Sequence, residues 1–189
     1  MHVKPILIIG LTMLLVSMLS PTPIVHAATK SVACDVNALI SAINTANATP
    51  GANVLELATN CTYTATVVNN TGDRGTNAFP QITGNITLNG HNTTIQRSTN
   101  AGTPMFRFFE VRPNGRLALN GITFFNANND DIPNNKEKGG AIANFGTVNV
   151  ANSTFSGGRA GCGAGIFSEG EWTVVTVVNS SFLNNTADV

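Results

Sequence analysis

Side chains able to do chemistry are sparse in this sequence. Ten acidic and ten basic residues in 189 leave it formally neutral at pH 7. The densest carboxylate pair is Asp130-Asp131, within "NANNDDIPNNKEKGG" (126–140). Adjacent carboxylates on a loop are ordinarily solvated turn residues, because successive side chains diverge. Acid-pair hydrolysis needs carboxylates converging on one bond from separate elements. Glu110, Glu169 and Glu171 are scattered and supply no such set. Arg107, Arg112 and Arg116 form a modest basic cluster, expected to be a solvated face rather than a polyanion site. Neutral charge leaves no electrostatic footprint for nucleic acid. The glycine pairs at 139 and 157 lack the helix and Lys-Ser/Thr that a phosphate loop requires. On this reading no catalytic, cofactor-binding or metal-ligating set is assigned.

The elements that position these residues must be strands and turns. Only 11% of the residues are charged, Gly is frequent, and Asn, Thr and Ser fill much of the remainder. Such residues compete with a helix backbone or lose freedom in it. Residues 1–27 stand apart. A basic start (Met1 to Lys4) precedes an apolar run from Ile6 to Leu19, and Val25-His26-Ala27 has the small-residue spacing of a signal-peptidase site. The run of about 14 residues is short for a membrane span. A secreted or cell-surface protein is expected.

Export changes how the cysteines read. In an oxidising compartment Cys34 and Cys61 either pair, closing a loop worth about 3 kcal/mol in the chain-entropy model, or stand as two small buried residues. Cys162 is odd, and its spacing suits no zinc site. His91 is the one histidine beyond the leader, so a metal or Cys/His reading has little to build on.

One good helix is visible. Val36, Leu39, Ile40 and Ile43 fall at i, i+3, i+4 and i+7, Asp35 suits the N-cap, and Pro50-Gly51 stops it. Asn53 to Leu57 then alternates as a half-buried strand does. The segment "CDVNALISAINTANATPGANVLELATNCTYT" (34–64) resembles the N-terminal cap region of secreted bacterial β-helix proteins, typified by Cys-Ser-Leu-Arg-Glu-Ala-Ile followed by Ala-Asn and Pro-Gly-Ala. The Cys, the Ile, the Ala-Asn and the Pro-Gly-Ala match; Asn37-Ala38 stands where that motif has Arg-Glu.

Beyond the cap the chain repeats. "NGRLALNGITFFNAN" (114–128) overlays "FGTVNVANSTFSGGR" (145–159), placing Leu117 on Val148, Leu119 on Val150, Ile122 on Ser153 and Phe124 on Phe155. A third copy fits from Asn179 to Phe182 with about three extra residues after Gly170, and a fainter one spans "TGNITLNGHNTTI" (83–95). A period of roughly 22 to 31 residues is that of a solenoid. Each unit cannot bury its apolar face alone, so stacked coils must form continuous columns. Glycine supplies positive φ at corners. Asn120, Asn126, Asn152, Asn179 and Asn184 are placed to do the same. Several of these asparagines also lie in Asn-x-Ser/Thr sequons, read here as by-products of an Asn/Ser/Thr-rich solenoid.

Gly139-Gly140-Ala141-Ile142 and the Phe-x-x-Asn runs at 125–128 and 182–185 are similar to the repeats of polymorphic outer-membrane proteins, in the pectin-lyase-like group. The resemblance implies an all-β, right-handed parallel β-helix with a short N-terminal capping helix. It divides the chain into a signal peptide (1–27), a cap (28–64) and coils (65–189) that are expected to be incomplete at the C-terminus. It also implies surface exposure, adhesion or binding to a glycan, a host or a neighbouring cell. An uncapped C-terminal edge of such a coil leads to the expectation of a longer solenoid or of self-association through that edge. In the lyase branch of that group, acidic residues hold Ca²⁺ beside an arginine base. Asp130 and Asp131, with Arg116 or Arg159, are the candidates under that alternative.

Overall fold

In a computed structural model, the described residues are 28–73, 75–130 and 138–187. The leader (1–27) and Asp131 lie outside them. β1 (Ala28–Val32) leads into α1 (Val36–Ala48), followed by β2 (Ala52–Leu57) and β3 (Thr62–Ala65). A hairpin of β4 (Asn70–Gly72) and β5 (Gly75–Asn77) precedes the long strand β6 (Asn85–Arg97). The next coil carries β7 (Phe109–Val111), β8 (Arg116–Phe125) and β9 (Asn128–Asn129). After it come β10 (Ile142–Asn144), β11 (Thr147–Ala151), β12 (Thr154–Ser156) and β13 (Arg159–Ala160). The last coil holds β14 (Ile166–Ser168), β15 (Val174–Val178), β16 (Ser181–Leu183) and β17 (Thr186–Ala187).

Among the strands of the described residues, the hairpin alone pairs antiparallel and the other ladders are parallel. One wall runs β1-β2-β6-β8-β11-β15, with β3, β12 and β16 on the far halves of the long strands. The sheets β7-β10-β14 and β9-β13-β17 complete the coil. The chain is thus a parallel β-solenoid of about four turns. Among the described residues no helix is long and apolar enough to cross a membrane.

The alignment read from sequence is the physical register. Leu117 pairs with Val148, Leu119 with Val150 and Phe124 with Phe155. The columns also extend further toward the N-terminus than the repeats suggest. One column runs Leu55, Leu88, Leu119, Val150, Val177, and another Tyr63, Ile95, Phe124, Phe155, Phe182. Period-two alternation sends these side chains inward and their neighbours out. Each fully buried apolar side chain contributes about 1.5–3 kcal/mol.

At the N-terminal end α1 packs against β1, β3 and β6, burying Leu39, Ala42, Ile43 and Ala46. The Asp35 carboxylate accepts the Ala38 amide at 2.8 Å, as an N-cap should. Asn47 fastens the other end: its side chain donates to the Gln81 carbonyl at 2.7 Å and accepts the Thr83 and Gly84 amides. Cys34 and Cys61, 27 positions apart in sequence, form a disulfide with Cα atoms 5.6 Å apart. A loop of that size is worth about 3.5 kcal/mol in the chain-entropy model.

The corners are largely as expected. Asn126, Asn152, Asn179 and Asn184 take positive φ, as do Asn60 and Asn92. Asn120 does not. It stays in β8, Gly121 takes the left-handed turn at φ 68°, and the Asn120 side-chain Oδ1 accepts from the Asn152 side-chain Nδ2 at 2.9 Å. Glycine adopts that conformation without a Cβ penalty, so in an Asn-Gly pair the turn moves onto it. The three extra residues in the last coil are also real. Ile142 pairs with Ile166, 24 residues on, but Thr147 pairs with Val174, 27 residues on.

Candidate functional site

The extra residues build a loop, and the loop builds a trough. Between β14 and β15 the chain runs Glu169-Gly170-Glu171-Trp172-Thr173, and Trp172 is left 86% exposed. Buried Asn144 staples the loop's base. Its amide donates to the Ser168 hydroxyl at 3.0 Å and the Val174 carbonyl at 3.2 Å, while its oxygen accepts the Gly146 amide. The Glu169 amide donates to the Asn144 carbonyl, and the Thr173 hydroxyl to the Gly170 carbonyl. Glu169 also meets the Lys138 ammonium at 2.5 Å, and that ammonium lies 4.5 Å from the Phe167 ring centre. An exposed indole is therefore held on a fastened loop.

Trp172 faces a hollow of about 580 Å³ lined also by Asp73, Asn114, Arg116, Phe145 and Glu171. A second hollow of about 520 Å³ holds Thr71, Gln81 and Arg112, and shares Asp73, Pro113 and Phe145 with the first. The two form one continuous trough across the coils, with the hairpin at one side and the Trp172 loop at the other.

Asp73 is positioned from below by a buried ion pair. Arg107 and Glu110 are both fully buried, with Nη2 and Oε2 2.6 Å apart. Arg107 also donates to Asn77 Oδ1 and to the carbonyls of Lys138 and Asp73. Glu110 accepts from the Asp73 amide, Gln81 and Arg112. Desolvation pushes the Arg107 guanidinium below its ordinary pKa, and the Glu110 charge opposes that shift. Both charges are compensated, and the network ties the hairpin turn to the coil.

Two expectations change here. Arg107 is not on a solvated face with Arg112 and Arg116; the hairpin covers it, and Glu110 neutralises it. Glu169 and Glu171 are not merely scattered, because they line one trough with Asp73. Arg116 sits in that trough, whereas Asp130 lies beside Arg159, with Oδ2 and Nη2 3.8 Å apart. Asp130 follows β9 and Arg116 opens β8, so they occupy different corners of the coil. His91 Nε2 lies 2.9 Å from Glu56, and the Asn89 side-chain hydrogen bond, followed by that of His91, holds the Glu56 carboxyl below its usual range. Among the described residues no group of three or more His, Cys, Asp or Glu side chains converges as a metal site would.

Sequence reasoning passed over Trp172, Asp73 and Asn144. The available signal was a lone tryptophan inside an insertion that breaks the coil spacing. Fold and trough together define a class, a parallel β-solenoid with an aromatic-edged surface trough. No family model, curated protein or solved structure matches the chain.

Proposed function

We propose that the chain is a secreted or cell-surface β-solenoid acting as a non-catalytic binding module for an extracellular glycan or for a protein on a host or neighbouring surface. The trough edged by Trp172 is the observation that carries this reading. An exposed Trp on a fastened loop suits recognition, because tryptophan offers a large apolar face with a polar N–H and is enriched at binding interfaces. Small-ligand sites combine aromatic walls with a few placed polar groups. Export by cleavage of residues 1–27 is part of the proposal, supported by the Cys34–Cys61 disulfide, a bond that persists in oxidising compartments. A right-handed coil of the pectin-lyase-like kind is supported by the parallel register, since parallel crossovers are right-handed in nearly all cases.

The closeness of Asp130 and Arg159 favours a second reading, a Ca²⁺-dependent polysaccharide lyase or a glycoside hydrolase. An assay of the mature chain on polygalacturonate with Ca²⁺ separates the two. No turnover is expected; turnover that vanishes in Asp130→Ala or Asp131→Ala would replace binding with catalysis.

The last described rung fits a second copy of the chain. Val175, Val177 and Phe182 continue the core columns yet are 39%, 43% and 43% exposed. On this rung β15 pairs with β11 and β16 with β12, each leaving its other edge open among the described residues, and unpaired edge strands favour pairing. Light scattering of the mature chain is expected to give a dimer that Val177→Lys converts to monomer. A wild-type monomer at tens of micromolar (a concentration at which about 8 kcal/mol of association would register) would end this proposal.

A further inference from the structure

We infer that Lys138 is a positioning residue of the trough, one that ties its two walls together so that the Trp172 loop and the hairpin are held as one unit. That role presupposes the binding reading above and adds how the site is kept in shape. Lys138 stands immediately before the Gly139-Gly140 corner, and its two polar groups serve different walls. Its ammonium donates to Glu169 at 2.5 Å, at the root of the Trp172 loop. Its carbonyl accepts Arg107 Nη1 at 2.6 Å and Asn129 Nδ2 at 3.2 Å. Arg107 in turn donates through Nη2 to the Asp73 carbonyl at 2.9 Å, in the hairpin turn. Asn129 reaches the hairpin as well, since a Cβ added to Gly75 would lie 2.4 Å from its side chain. One residue is therefore the shared anchor of Asp73 on one side and of the Trp172 loop on the other. Its own backbone is fixed by the next coil, where the Gly139 amide donates to the Cys162 carbonyl at 2.9 Å.

A buried ammonium suits this task and a neutral side chain does not. The Lys138 side chain is 10% exposed, so its charge has lost most of its water. Glu169 and the face of the Phe167 ring, 4.5 Å from Nζ, replace that hydration. An ion so enclosed cannot leave its partner cheaply. The pair thus fixes Glu169, although the Glu169 side chain is itself 52% exposed. Half-exposure also makes the clamp sensitive to ionic strength, because salt screens a pair that solvent reaches. Asn144 holds the loop where it leaves β14 and enters β15, through Ser168 and Val174. The Lys138 pair adds a hold at Glu169 and connects it to the hairpin.

The backbone order parameter of Trp172, measured by nitrogen relaxation on the mature protein without ligand, reads the clamp directly. Wild type is expected near the rigid value of about 0.85, and Lys138→Met below about 0.6, in the flexible range. Lys138→Arg keeps the charge and can stack on Phe167, so it is expected to restore the wild-type value. Glu169→Gln, on the exposed side of the pair, is expected to keep the wild-type circular dichroism and to loosen Trp172 as Lys138→Met does. It keeps the test decisive if the buried substitution fails to fold. High salt is expected to loosen Trp172 in wild type and to leave Glu169→Gln unchanged. Arg107→Met/Glu110→Leu strips the hairpin side of the anchor and is expected to loosen Asp73 and Trp172 together. An unchanged Trp172 in Glu169→Gln would overturn the Lys138 clamp and leave the loop to Asn144. Loosening of Asp73 alone in the double variant would overturn the joining of the walls. No ligand enters these measurements, so either failure is distinct from a failure of the binding reading.

Discussion

Glu110→Ala is expected to lower the unfolding free energy by about 3–5 kcal/mol, the range for removing one member of a buried ion pair. The reason is what remains. Arg107, fully buried, keeps the Asn77 oxygen and the carbonyls of Lys138 and Asp73, but its compensating charge is gone. The Asp73 amide and the Gln81 side chain lose their acceptor as well. The hairpin turn should loosen with them, so glycan affinity should fall alongside stability although Glu110 is buried beneath the trough. Urea denaturation of wild type and variant measures the first effect. The double variant Arg107→Met/Glu110→Leu separates charge from packing. Replacing both partners by apolar groups of similar volume removes the uncompensated charge, so the double variant is expected to recover that part of the loss, while the Asp73 amide, Gln81 and Asn77 stay without their partners. A single-variant loss under about 1 kcal/mol would mean that the pair contributes little, and that the hairpin is held by its backbone contacts.

Phe155→Ala is the second large effect. Its ring stacks on Phe124 at 4.7 Å and on Phe182 at 4.9 Å, and Phe155 is 1% exposed. Truncating a buried Phe costs about 3–5 kcal/mol, because a cavity is added to the lost transfer free energy. Phe182 occupies the same column one rung on and is 43% exposed. Phe182→Ala in the monomeric background should therefore cost less than half as much. Equal losses at the two positions would contradict an open last rung. That comparison, made by urea or thermal unfolding, tests the column and its exposed end together.

The local pattern of this chain was legible because few residues set it. Alternation at Leu117/Leu119 and Val148/Val150 allows one inward face, and a one-residue slip would turn each of them to solvent. The phenylalanines at 124, 155 and 182 could stack only in the register observed. The helix followed from its apolar spacing and from Asp35, and the Cys34–Cys61 bond was one of two readings left open. The extra residues after Gly170 were countable from the misfit of the third copy.

What tertiary structure decided is the chemistry of the charged residues. Arg107 and Glu110 lie three apart, a spacing that puts side chains on opposite faces of a straight strand. The chain bends at Phe108 before β7 begins, and that bend returns both groups to one buried site, where Asn77 of the hairpin completes it. No local rule exposes that site, because Asn77, Asp73 and Lys138, which complete it, come from other segments of the chain. The same holds for the trough, which gathers Asp73, Arg116 and Trp172 from segments far apart in the chain. Sequence by itself determined the repeat, its inward columns and its helical cap, since those depend on periodicity along the chain. Which polar residues meet at the surface depended on how the coils stack and where the hairpin and the loop project, and that was settled only in three dimensions.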